Sequence, residues 1–157
     1  MNGSKKKGER GLTLVELIVA FTILALLTGM AVPLARYRVR RDKERELRYS
    51  LREIRKAIDD YKDATISGKI EVKLGTEGYP ESLEQLVDGV KLLQSADGKK
   101  IKFLRRIPKD PMTGTFEWGK RSVQDDPTSQ SWGGQNIFDV YSKSMDHARD
   151  GTAYAEW

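Results

Sequence analysis

Gly11-Leu12-Thr13-Leu14-Val15-Glu16 opens an apolar run that ends only at Ala35. Within residues 12–35 the polar side chains are Thr13, Glu16, Thr22 and Thr28. As a helix, these 24 residues span about 36 Å at about 1.5 Å per residue, enough to cross the hydrocarbon core of a bilayer. The sequence on either side changes abruptly. Residues 1–11 are polar and carry Lys5, Lys6, Lys7 and Arg10 against Glu9. Arg36, Arg38, Arg40 and Arg41 follow the run. Both flanks are basic, so the positive-inside rule does not by itself orient the span.

The chain has 157 residues, a net charge of +5 and no cysteine. Residues 1–11 supply +3 of that charge, so the basic balance is partly a property of the leader and argues weakly for nucleic acid. Without cysteine, a fold outside the cytoplasm has no disulfide and must hold by packing or by a bound ion. Residues beyond the run suffice for one modest core.

A carboxylate at Glu16 is costly in hydrocarbon, by about 2.5–3.5 kcal/mol on insertion scales. One reading is a glutamate near the interface that snorkels into the headgroups. The other is pairing. If the chain is cut after Gly11, Leu12 acquires a free amine that cannot easily reach Glu16 on its own helix. The amine of a neighbouring copy, staggered by about one turn, can. Such a charge selects lateral assembly in a fixed axial register.

The junction of basic leader, Gly11, Thr13, Glu16 and apolar run resembles the processing motif of the type IV pilin-like family. The resemblance implies that prepilin peptidase cuts between Gly11 and Leu12 and methylates the Leu12 amine. It also implies that Glu16, with Thr13 and Pro33, serves assembly. Leu12 departs from the usual phenylalanine. A competing export reading is a secretory signal peptide cut near Gly29-Met30-Ala31, but the apolar run is longer than the usual core.

Past the span, Leu47, Leu51, Ile54, Ile58 and Tyr61 recur at helical spacing, with Glu44–Arg48 and Lys56–Asp60 available as i, i+4 pairs on the charged face. No Gly or Pro lies between Pro33 and Gly68. One helix running from the span into the next domain is expected, bent or loosened near Gly29 and Pro33. Residues 67–79 read as a glycine-bearing loop. Ser82 reads as the N-cap of a short helix carrying Leu83, Leu86, Val87, Val90 and Leu93. Phe116-Glu117-Trp118 and residues 137–141 are the strand candidates, joined by a long polar hairpin loop. Tyr154 and Trp157 are expected to pin the C-terminal segment to the domain.

Residues 103–111, 138–142 and 150–152 resemble segments of the major pseudopilin group of type II secretion, general secretion pathway protein G. That resemblance implies an α+β pilin fold: a long N-terminal helix packed on a short helix and a small antiparallel sheet. The implied layout is a leader at 1–11, a transmembrane and polymerisation helix at 12–35 and a periplasmic domain at 36–157. The implied function is structural. The subunit sits in the bacterial inner membrane as a single-pass protein and assembles into a periplasmic filament that drives type II secretion. Its implied partners are further copies of itself, minor pseudopilins, the inner-membrane assembly platform, prepilin peptidase and membrane lipid. The alternatives are a type IV pilus subunit for adhesion, motility or DNA uptake, and a membrane-anchored binding module that never polymerises.

In the pseudopilin group a calcium ion orders the loop after the last strand. Here Asp146 and Asp150, with Ser142 and Thr152, are the expected oxygen donors, suited to a hard cation. Residues 36–56 hold ten Lys or Arg against four Asp or Glu. Headgroups and neighbouring subunits explain that stripe better than DNA. No nucleophile pairing, phosphate loop or metal-protease spacing is present, and no enzyme activity is expected.

Overall fold

The computed structural model describes residues 13–95 and 97–157, with the side chains of 29–35 excepted. The leader, Gly11 and Leu12 lie outside the described residues, as does the side chain of Pro33. The longest element, helix α1 (Leu14–Ile66), has 53 residues and passes through positions 29 and 33 without a break in its assignment. The chain divides into two units, Met1–Arg41 and Asp42–Trp157.

In the second unit the predicted stripe of α1 becomes the spine of the core. Leu47, Ile54 and Ile58 are fully buried, and Leu51 and Tyr61 nearly so. Against them pack Leu83 and Leu86 of α2 (Leu83–Asp88), together with Leu104, Trp118, Ile137, Val140 and Tyr154. On the outer face Lys56 pairs with both carboxylate oxygens of Asp60, at 2.9 and 2.7 Å. Ser82 caps α2 as expected: its Oγ accepts from Gln85 N at 3.3 Å, while Gln85 Oε1 accepts from Glu81 N at 3.0 Å.

The sheet is split into two antiparallel pairs. Strand β1 (Val90–Lys91) pairs with β2 (Lys100–Ile101), and β3 (Gly119–Arg121) pairs with β4 (Asp139–Tyr141). A 3-10 turn at Tyr154–Glu156 closes the fold. The architecture is α+β, with a long N-terminal helix, a second helix and small antiparallel sheets, consistent with the pilin fold.

Two expectations shift. The short helix ends at Asp88 rather than running to Leu93. Gly89 has a φ of 80°, and a Cβ there would meet the carbonyl oxygen of Ile101 at 2.6 Å. The helix is thus stopped so that Val90 can join β2. The strand expected at Phe116-Glu117-Trp118 begins three residues later, at Gly119. Trp118 is buried and donates from Nε1 to the Pro108 carbonyl at 2.9 Å. Gly119 faces Tyr141, whose ring occupies the space a Cβ would need. Trp118 therefore anchors the strand, and the glycine begins it, while Phe116 stays exposed.

The C-terminal segment is held on α1. Tyr154 Oη donates to Glu44 at 2.9 Å, and the Arg48 guanidinium lies 4.2 Å from the centroid of the Trp157 ring. Arg55 donates to Asp139 at 2.6 Å and to the Trp157 carbonyl at 2.7 Å. From the other side Arg121 reaches Asp139 at 3.3 Å and the Ala155 carbonyl at 3.0 Å.

Candidate functional site

The described part of the N-terminal run has the reverse character of the core. Leu14, Val15, Leu17, Ile18, Val19, Phe21, Ile23, Leu24, Leu26 and Leu27 are all more than half exposed. Such a continuous apolar surface is unstable in water and calls for a cover from outside. Among the described residues no helix is long and apolar enough to cross a membrane. The expected span of 12–35 includes residue 12 and the side chains of 29–35, which lie outside that description.

The polar groups on this surface divide sharply. Thr13 caps the helix: its Oγ1 accepts from Glu16 N at 3.3 Å and its carbonyl from Leu17 N at 3.1 Å. Thr22 donates to the Ile18 carbonyl at 2.8 Å, and Thr28 to the Leu24 carbonyl at 2.7 Å. These hydroxyls are satisfied within their own helix and can enter hydrocarbon at little cost. Glu16 is the exception. Among the described residues its carboxylate has no hydrogen-bond or ion-pair partner. Among the described residues one unpaired anion thus stands on an otherwise self-satisfied apolar stretch, in the first helical turn.

The loop after β4 closes on itself. Ala148 N donates to the Thr152 carbonyl at 2.7 Å, Tyr154 N donates to the Asp146 carbonyl at 3.2 Å, and His147 bridges Ala153. Asp150 Oδ1 accepts from Thr152 N at 3.0 Å and Thr152 Oγ1 at 2.6 Å, holding its pKa below the usual carboxylate range. Ser142 turns away from the loop. It is fully buried, donates to Asp110 Oδ2 at 2.7 Å and accepts from Ser144 N at 3.1 Å. Ser142 Oγ is thus engaged inside the fold, while Thr152 Oγ1 donates to Asp150 and accepts from Trp157 Nε1 at 3.1 Å. Asp146 and Asp150 are the carboxylates of this loop, and the rest of a six-to-eight-oxygen calcium shell would have to come from hydroxyls, backbone carbonyls and water. Among the described residues no group of three or more His, Cys, Asp or Glu could hold a metal ion.

The basic stripe of α1 is partly engaged, against the fold at Arg48 and Arg55 and on the surface at Lys56 and Arg45. Arg48 stacks on Trp157, Arg55 binds Asp139, Lys56 binds Asp60, and Arg45 lies 3.8 Å from Asp42. The sequence reading missed the role of Arg55 and Arg121 around Asp139. They come from helix and strand positions far apart in sequence, and no local pattern pairs them.

The α+β fold thus carries a helix whose described N-terminal stretch is apolar and exposed, with one glutamate in its first turn. Residues 6–32 match the family model of the prokaryotic N-terminal methylation motif. No curated protein and no solved structure matches the chain. The matched segment covers the described apolar stretch from Thr13 to Thr28, and its motif supports the resemblance to type IV pilin-like proteins.

Proposed function

We propose that the chain is a structural filament subunit of the type II secretion pseudopilus. In this reading the leader is removed between Gly11 and Leu12, and the new Leu12 amine is methylated. Residues 12–35 hold the subunit in the inner membrane with the C-terminal domain in the periplasm. Assembly exchanges lipid contacts for contacts between apolar helices, and Glu16 of each copy meets the Leu12 amine of a neighbour. The observation that carries this reading is Glu16, without a partner among the described residues, on the apolar surface of α1 within the segment that matches the methylation motif. Burying that anion beside a cation relieves the cost of holding it in hydrocarbon, and only a staggered neighbour supplies the cation.

A type IV pilus subunit uses the same physics in another machine. Deletion separates the two: loss of secretion supports the pseudopilus, and loss of twitching or DNA uptake replaces it with the pilus. Calcium enters the proposal only through Asp146 and Asp150, in a loop that main-chain bonds already close. Intact-mass and N-terminal analysis of membrane-extracted protein tests the whole reading. The expected product begins at a methylated Leu12; a product beginning at Met1 or Val32 overturns it.

A further inference from the structure

Charge in the second unit is segregated by segment. Residues 91–109 hold seven Lys or Arg against Asp97, a net of +6 in a chain whose total is +5. Everything else together therefore carries −1. Residues 110–157 hold eight Asp or Glu against four Lys or Arg, a net of −4.

Three of these cations, Lys91, Lys99 and Lys100, sit with Asp97 on the β1–β2 hairpin, where the register places Lys91 directly opposite Lys100, and Lys102 follows immediately. Like charges facing each other across an antiparallel pair destabilise it. The hairpin is nonetheless seated firmly: Phe103 N and Leu104 N both donate to the Leu86 carbonyl at 3.0 Å, and Leu104 is buried. Among the described residues Lys91, Lys99, Lys100 and Lys102 form no ion pair. All four are exposed.

The opposite charge is held equally firmly on the β3–β4 loop. Asp125 Oδ2 accepts from Ser122 N at 2.7 Å and Gly133 N at 3.1 Å. Asp126 Oδ1 accepts from Thr128 N at 3.0 Å and Thr128 Oγ1 at 2.8 Å. These main-chain donors keep both carboxyls ionised to lower pH than usual. Neither has a cation partner among the described residues.

We infer that the lysine-bearing β1–β2 hairpin of one copy docks on the Asp125–Asp126 loop of a second copy. This inference rests on the filament reading above. Two surfaces of opposite sign at different places on one unit can meet head to tail, and such a contact propagates into a filament where its rotation does not close. The fixed loops mean that little ordering is needed on contact. The pairing adds a second register signal to the one at Glu16, and it acts outside the apolar helix.

The test uses full-length filaments assembled from an equal mixture of nitrogen-14 and nitrogen-15 chains. Carbodiimide joins an amine to a carboxylate only where the two touch. The expected product is a mixed-isotope peptide linking Lys91, Lys99 or Lys100 to Asp125 or Asp126. Lys91→Glu with Lys100→Glu is expected to lower the pelleted filament fraction, and adding Asp126→Lys is expected to restore it. Asp126→Asn, which keeps the acceptor for Thr128, is expected to weaken filaments and their salt sensitivity without loss of fold. Screening shortens from about 10 Å at 0.1 M salt to about 3 Å at 1 M, so wild-type filaments should loosen with salt. Filaments that form normally but give only same-isotope links, or links from the hairpin to other acids, overturn the docking. Wild-type chains that stay uncleaved and never pellet overturn the filament reading instead.

Discussion

Leu17 and Leu51 stand on the same helix, yet one is 56% exposed and the other 2%. Residues 14–28 hold eleven aliphatic residues in fifteen and residues 47–61 only five, and the two stretches differ too in what the chain offers to cover them. Residues 47–61 present a stripe, and the fold brings α2, two strand pairs and the 3-10 turn onto it. Residues 14–28 are apolar on every side. A stripe asks for one partner surface, whereas an apolar cylinder asks for a medium or for several neighbours. The comparison shows why one sequence element can be both the scaffold of a domain and the unit of an assembly.

The largest expected effect breaks this contrast on the folded side. Ile54→Ala should lower stability by about 2–5 kcal/mol, because it opens a cavity in the core. Ile18→Ala should leave the melting temperature of detergent-solubilised full-length protein unchanged. Equal losses from both substitutions would mean that the N-terminal stretch packs on the domain.

Glu16→Gln sharpens the other side. It should leave the melting curve in place and abolish filament pelleting, since about 2.5–3.5 kcal/mol of burial cost would no longer need a neighbour's amine. Filaments of normal yield and register from this variant would make Glu16 a snorkelling residue.

Gly119→Ala should cost about 1–3 kcal/mol, because the Tyr141 ring must move for a methyl group. A melting curve matching wild type would show that the β3–β4 pair yields easily.

Calcium should do little. A weak site with a Kd of about 10⁻³ M, at about 1 mM calcium, contributes only about 0.4 kcal/mol, or about 2 °C. A much larger rise would mean that Asp146 and Asp150 recruit carbonyl ligands into a real cage.

The smallest effect is on pH. Hydrogen bonds from Thr128 hold the Asp126 pKa down, and those from Thr152 do the same for Asp150. A lowered carboxyl contributes stability above the usual carboxylate range and loses it as pH falls through the lowered value. A carbon-13 titration by NMR should show both titrating below the ordinary carboxylate value. Ordinary values would remove the reason for calling these loops fixed.

The two halves also differed in how legible they were. Spacing alone placed Leu47, Leu51, Ile54, Ile58 and Tyr61 on one face, because helical periodicity is a local property. Ser82 was readable as a cap for the same reason. The end of α2 was not, because Gly89 matters through its approach to Ile101, which lies twelve residues on. Nor was the start of β3, since Trp118 reads as a strand residue until its partner at Pro108 is known. Ser142 looked like a loop oxygen and proved to be a buried partner of Asp110.

Sequence by itself determined the apolar cylinder, the placement of Gly11, Thr13 and Glu16 at its head, and the stripe that follows. These depend on residue type and on spacings within a few turns. Only the tertiary structure decided where the strands begin, which arginines hold Asp139, and that Ser142 and Thr152 are already engaged. Those outcomes depend on contacts between residues distant in sequence, whose closeness exists only after the core has formed. Glu16 belongs to both accounts: its position is written in the sequence, and its lack of a partner among the described residues appears only in the structure.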